Sequence, residues 1–334
     1  MKIDNVASRN RTLVLSHSEQ KKYESQFEYT YPPQSECVDK IFCADFLKEV
    51  NNIPENFIDL AVIDPPYNLT KNYDGVTFKQ SSDEEYELWL NRWIPSVIKV
   101  LKKDGSLYIC GDWVNSSALY RVLSKNCIIR NRITCERKNG RGSLSKWKNS
   151  SEDIWFCTKS NDYIFNLDAV KLKRKVIAPY KDEKGNPKDW DYEDGKGFRL
   201  TSPSNLWTDI SVPFWSMPEN TEHLPQKPEK LIAKLILASS NPGDIVLDGF
   251  LGSGTTAVVA KKLNRHFIGF EQSSRYACIA LKRLEQANNA SSIQGFDGQF
   301  FWERNTGIEQ KKQKQQKSIN ESNTTLNKTS NSLF

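Results

Sequence analysis

Several short apolar runs in this chain stop on an acidic residue, and the stretches between them carry helical spacing. Residues 245–247 run into Asp248, residues 57–63 into Asp64, residues 38–43 lead to Asp45, and residues 267–270 end at Glu271. Such runs predict strands, with further strands over 106–110, 128–134 and 153–158. Between them, 46–50 predict a short helix that Asp45 would cap, and 255–263 and 274–287 predict two more. Over 82–103 Ser82 and Glu85 form a capping box, and Tyr86, Trp89, Leu90, Trp93, Val97 and Leu101 recur at helical spacing. Pro95 predicts a kink there and Asp104-Gly105 its end. Pro228 sits in the first turn of another helix that buries Leu231, Ile232, Leu235 and Ile236. Strands alternating with helices predict an α/β fold around a doubly wound sheet.

Three segments lack this periodicity. Residues 1–37 are polar, and the expectation is a poorly ordered or partner-specific extension. Residues 161–222 mix Gly, Pro, Asp, Lys and aromatic residues with nearly cancelling charge. From about residue 303 a tail rich in Gln, Lys, Ser, Asn and Thr predicts disorder.

Composition narrows the class. With 334 residues and 38% apolar content the chain can bury a substantial core. No apolar run approaches the roughly 20 residues of a membrane span, and residues 1–11 lack the apolar segment of a secretory signal. The 7 cysteines are scattered, odd in number and never in a C-x-x-C pair, which predicts reduced cytosolic thiols; the 3 histidines are too dispersed for a metal centre, so no metal is expected. The net charge of +6 is modest. It is concentrated between 125 and 150, where Lys125, Arg130, Arg132, Arg137, Lys138, Arg141, Lys146 and Lys148 face only Glu136. That window suits an anionic partner, and equally a solvated basic loop.

Two stretches carry chemistry. Gly252, Gly254 and Ala257 have G-x-G-x-x-A spacing between a strand and a helix, with Glu271 about 20 residues on, where a carboxylate can hold ribose hydroxyls. A P-loop is excluded, because Thr255 stands where the phosphate-binding lysine must be. A nicotinamide or flavin dinucleotide site and a turn that merely packs a helix on a sheet both remain compatible with the glycines alone. The second stretch is Asp64-Pro65-Pro66-Tyr67-Asn68, directly after an apolar strand. Two prolines cannot continue a ladder or a helix, so an acid and a ring emerge from a rigid corner. A strand terminator followed by a turn asparagine is the plain reading; a carboxylate, a fixed carbonyl and a stacking ring suit a planar, amino-bearing substrate better.

DPPYN after a strand, together with the later D-x-F-x-G-S-G-T-T at 248–256, resembles the S-adenosylmethionine-dependent DNA amino-methyltransferases, which act on adenine N6 or cytosine N4. The order of the motifs resembles the permuted β class, and the resemblance spans roughly residues 38–290. It implies a Rossmann-like, mixed seven-stranded sheet with circularly permuted motif order. The implied division is an extension (1–37), a catalytic half with a basic hairpin (38–160), a target-recognition region (161–222), a cofactor-binding half (223–290) and a tail (291–334). Catalysis falls to Asp64, Pro65, Pro66 and Tyr67. S-adenosylmethionine falls to Asp45, Asp248, Phe250, Gly252, Ser253, Gly254, Thr255 and Glu271, with His223, Gln226 and Lys227 of the segment HLPQKP, where relatives often have H-P-x-Q-K-P and this chain has Leu224. Double-stranded DNA would be met by Lys71, Arg137, Lys138, Arg141, Lys146 and Lys148, and the polar segment 68–82 is expected to fold over the site and order on DNA. Cys135 departs from the pattern, since relatives often carry tryptophan there. Aspartate at the head of DPPY favours adenine over cytosine. A catalytically silent DNA-binding partner and an RNA methyltransferase are weaker alternatives. The resemblance also admits a separately acting restriction endonuclease, a homodimer and a prokaryotic cytoplasmic setting.

Overall fold

Strand β2 (Ile58–Ile63) is buried along its whole length, and from Leu60 on, past an irregularity at Ile58, its side chains alternate between two separate cores. Leu60 and Val62 enter one, while Ile58, Ala61 and Ile63 enter the other. A strand apolar on both faces must be covered on both, so helices flank the sheet on either side. The computed structural model describes residues 9–137, 144–176, 180–186, 188–193, 196–223, 225–304, 306 and 310. In chain order the elements are α1 (His17–Glu24), β1 (Lys40–Phe42), α2 (Phe46–Glu49), β2, β3 (Lys71–Tyr73), β4 (Val76–Phe78), α3 (Asp83–Asn91), α4 (Ile94–Val100), β5 (Leu101–Gly111), α5 (Ser116–Asn126), β6 (Ile128–Glu136) and β7 (Ser151–Thr158). They continue with β8 (Leu172–Lys175), β9 (Asp191–Glu193), β10 (Lys196–Thr201), β11 (Leu206–Trp207), α6 (Glu229–Ser239), β12 (Ile245–Asp248), α7 (Thr255–Lys262), β13 (His266–Phe270), α8 (Ser274–Ala287) and β14 (Phe301–Trp302).

The main sheet runs β1-β13-β12-β2-β5-β7-β6-β11. It is parallel from β1 through β5, and β7 lies antiparallel to both β5 and β6. The expected mixed, doubly wound sheet is therefore present. Its eighth strand is the two-residue β11, which sets Trp207 beside Cys135. Cys135 is itself buried and pairs with Glu152 on its other side.

Three local expectations are corrected. The helix expected over 82–103 is two: α3 ends at Asn91, and Pro95 sits in the first turn of α4, where its missing N–H costs nothing. The chain is already strand at Leu101, so Asp104-Gly105 lies within β5 rather than ending a helix. There Lys102 pairs with the largely buried Asp59 at 2.7 Å. Residues 9–37 are not a loose extension. The capped helix α1 buries Tyr23 and is tied to α8 by Lys22–Glu285 at 2.9 Å and Lys282–Glu19 at 2.6 Å. β14 lies just ahead of the tail expected from about residue 303, most of which falls outside the described residues.

From region 161–222, β8, β9 and β10 join β14 in a second sheet, β14-β8-β10-β9, while β11 joins the main one. Phe198, Phe300 and Trp302 surround the Lys173 ammonium at 4.9–5.2 Å, a cation–π cage. The region is fastened to the main body by Asp209, whose carboxylate takes Lys230 at 2.7 Å and Lys234 at 3.0 Å, all three largely buried. Burial alone would raise the Asp209 pKa, but the two lysines outweigh it and hold the carboxyl below its ordinary value. Asp209→Ala strands two buried ammonium groups and is expected to cost about 3–5 kcal/mol in urea unfolding; a loss below about 1 kcal/mol would contradict this fastening.

Candidate active site

β12 and β2 are parallel neighbours, with Val246 level with Leu60 and Leu247 with Ala61. The sheet then grows in opposite directions, through β5 on one side and β13 on the other. Open α/β sheets bind ligands beyond the carboxyl ends of strands at such a divergence. Here Asp64 follows β2 and the glycine turn follows β12. Asp64, Asp248, Phe250, Gly252, His223 and Lys227 accordingly line one cavity.

The turn is shaped by what it cannot accommodate. Gly252 and Gly254 have φ of +55° and +81°, which strain any residue with a side chain. A Cβ on Gly252 would lie 2.7 Å from His223 Nε2, and one on Gly254 2.5 Å from Ala280 Cβ. Glu271 accepts the amides of Gly252 at 2.7 Å and Ser273 at 2.8 Å. Arg283 on α8 donates to the Ser253 carbonyl and to Thr255 Oγ1, both at 2.9 Å. Its guanidinium is held in turn by Glu229 at 3.1 Å, which also takes Lys262 at 2.7 Å. Burial pushes the Asp248 carboxyl up to about 7 and His223 down to about 4, leaving the imidazole neutral at neutral pH. His223 sits edge-on to Tyr276 at 4.4 Å, and its Nδ1 is buried without a hydrogen-bond partner. Asp45 caps α2 by accepting the Leu47 amide at 3.1 Å. Gln226 is occupied in holding its own loop, accepting from Thr221 Oγ1 at 2.7 Å and donating to the Glu219 carbonyl at 2.6 Å.

The DPPY corner is fixed from behind. Tyr86 of α3, a buried ring, donates to the Pro66 carbonyl at 3.1 Å and so supports the site. Asn68 bonds to the Ser81 amide at 2.8 Å and carbonyl at 2.9 Å, closing the loop that follows. Within that loop β3 and β4 form a hairpin, and Ser273 Oγ, beyond the end of β13, donates to the Asp74 carboxylate at its tip. Lys71 lies on this hairpin, where burial lowers its pKa and the charges of Asp64, Lys227 and Arg137 reach it.

Lys227, expected among the residues that hold S-adenosylmethionine, reaches the DPPY corner. Its ammonium lies 2.6 Å from Asp64 Oδ2, 3.1 Å from Glu152 Oε1 and 3.3 Å from Tyr67 Oη. Asp64 Oδ1 is buried and has no hydrogen-bond partner. Burial raises the Tyr67 pKa well above the ordinary phenol range. Glu152, Arg283 and Glu229 escaped the sequence reading because a charged residue in a strand or helix looks the same whether it faces water or a buried partner. Of the residues expected to meet DNA, Arg137 pairs with Glu152 at 2.9 Å, and Lys146 and Lys148 lie exposed between β6 and β7. Lys138 and Arg141 fall outside the described residues.

The sequence profile of a DNA methylase family matches residues 58–282. A type II methyltransferase of Moraxella bovis, M1.MboII, is 39% identical over 257 residues, covering 73% of this chain and 95% of the relative. The DNA adenine methyltransferase YhdJ of Escherichia coli (strain K12) is 36% identical over 259 residues, covering 75% of this chain and 84% of the relative. Among solved structures, the cytosine-N4-specific PvuII DNA methyltransferase shares the fold at a TM-score of 0.55 and 19% identity, over 79% of this chain and 94% of that one. A complex of M1.HpyAVI with SAM aligns at a TM-score of 0.50 and 24% identity, over 73% and 98%. The chain belongs to the DNA methylase family. It is thus an enzyme of DNA N-methylation, the adenine and cytosine variants sharing this family.

Gly252→Asp puts a side chain against His223 and a second charge near Glu271. It is expected to abolish donor binding in calorimetry, whereas unchanged affinity would remove the turn from the donor site.

Proposed function

We propose that this methylase transfers the methyl group of S-adenosylmethionine to the N6 amino group of an adenine flipped out of a specific duplex sequence. The observation that carries this reading is Asp64, which lines a cavity together with Gly252 and His223 and has one oxygen held by Lys227 and the other buried without a partner. Leaving a buried acceptor unsatisfied costs about 1–3 kcal/mol, and a substrate amino group would relieve that cost.

The surroundings fit the donor. The turn packs against His223 and Ala280 so closely that neither Gly252 nor Gly254 has room for a Cβ, and its bare backbone suits a closely approaching ligand. Asp248, Phe250, Ser253 and Thr255 continue the same cradle, Glu271 stands where ribose hydroxyls are held, and Asp45 and His223 flank it. S-adenosylmethionine, when bound there, supplies an electrophilic methyl group on a sulfonium. An exocyclic amino nitrogen is a poor nucleophile because its lone pair is delocalised into the ring. Asp64 and the Pro65 carbonyl accept its two hydrogens, and both acceptors bind it more strongly as it becomes tetrahedral and positive. Tyr67 stacks on the face of the extruded base. The second sheet reads the target, and the segment between β6 and β7 meets phosphates.

The aspartate-led DPPY and the similarity to an adenine methyltransferase favour adenine. The motif order supports the β class. The similarity to type II methyltransferases supports a prokaryotic cytoplasmic setting within a restriction-modification system; among the described residues no helix is long and apolar enough to cross a membrane.

Incubating DNA with the protein and donor, then digesting it to nucleosides for mass spectrometry, is expected to yield N6-methyladenine. N4-methylcytosine would overturn the base assignment, and an absence of both would overturn the activity. Asp64→Ala is expected to abolish transfer while donor affinity persists; retained turnover would refute the role of Asp64. Lys146→Ala is expected to weaken DNA binding and lower the salt slope by about 1. An unchanged slope would locate the phosphate contact elsewhere.

A further inference from the structure

We infer that Lys227 and Glu152 are positioning residues for the acceptor amine: Glu152 anchors the Lys227 ammonium, and Lys227 fixes Asp64 so that Oδ1 alone is offered to the substrate. This rests on the methyl-transfer reading above and assigns Lys227 to the acceptor rather than the donor.

The geometry is specific. Asp64, at the end of β2, and Glu152, on β7, stand on opposite sides of β5 in the sheet. Lys227, just before α6, joins them with contacts of 2.6 and 3.1 Å. The Lys227 and Glu152 side chains are only 12% and 5% exposed, so water cannot readily substitute for either partner. Burial alone would lower the lysine's pKa, but Asp64 and Glu152 outweigh it and hold the amine charged. The Lys227 ammonium also lies 5.6 Å from the Tyr67 ring centre, so the same group buttresses the acid and the stacking ring.

The ion pairs form a chain. Arg137 holds one oxygen of Glu152 at 2.9 Å, Glu152 holds the Lys227 ammonium with its other oxygen, and Lys227 holds Asp64 Oδ2. Each link fixes the next, so Asp64 is oriented before substrate arrives, which is preorganisation in the sense relevant to transition-state stabilisation.

The test compares wild type with Lys227→Ala, Lys227→Arg and Glu152→Gln, each checked for folding by circular dichroism. Donor affinity is measured by calorimetry and methyl transfer to DNA at saturating donor. Misplacing Asp64 is expected to lower kcat about 100-fold in Lys227→Ala, with donor Kd changed less than about threefold. Added ethylammonium is expected to recover at least about tenfold of that loss, and Lys227→Arg to retain more activity than Lys227→Ala. Glu152→Gln is expected to lower kcat with donor affinity preserved. A donor Kd weakened about tenfold or more with kcat intact would return Lys227 to the donor site. Lack of rescue by ethylammonium, with Lys227→Arg no better than Lys227→Ala, would reduce the lysine to a packing role. A wild-type protein that methylates no DNA would overturn the parent reading instead, whatever the variants do.

Discussion

The parallel pairing of β2 with β12 is the constraint on which the site depends. The two strands belong to parts of the chain separated by two sheets' worth of other structure, yet their registered hydrogen bonds set Asp64 and the glycine turn side by side at one edge. Hydrophobic burial on both faces enforces the register, because a one-residue slip of β2 would move Leu60 and Val62 out of one core and Ile58, Ala61 and Ile63 out of the other. Catalytic geometry is thus inherited from core packing.

Around this pairing the molecule spends buried charge in three places. Arg283, Glu229 and Lys262 brace the glycine turn, Asp209 with Lys230 and Lys234 fastens the second sheet, and Lys227 with Glu152 holds Asp64. Buried ion pairs are poor sources of net stability, since desolvation offsets much of their attraction. Their value here lies in direction: each fixes a loop or side chain that apolar packing alone would leave free to settle differently. The contrast is clear at Asp64, where one oxygen is tightly satisfied and the other is left without a partner.

The parts legible in the sequence were those whose chemistry forces a local pattern. The double proline after an apolar run, and glycines where positive φ and close approach leave no alternative, announced both halves of the site. Continuous apolar runs gave the strands of the doubly wound sheet. What escaped depends on partners distant in the chain. α1 is polar apart from Tyr23, the residue that enters the main core, and is further tied to α8 by ion pairs; β14 pairs with β8, far away in the chain, and adds Trp302 to the cage around Lys173; Glu152 looks like any strand glutamate until Lys227 arrives. The split between α3 and α4 is half visible, since Pro95 marks an irregularity in the pattern, but a kink within one helix and the first turn of a second leave the same trace in the sequence.

The central claim is that a target amino group enters between Asp64 and the glycine turn. Its most direct test is a crystal structure with a non-reactive donor analogue and a duplex carrying the methylation site. The account predicts an extruded base whose amino nitrogen lies about 3 Å from Asp64 Oδ1, with the analogue seated on the turn at Gly252. A base left stacked in the duplex, or an analogue bound away from the β2–β12 edge, would contradict it.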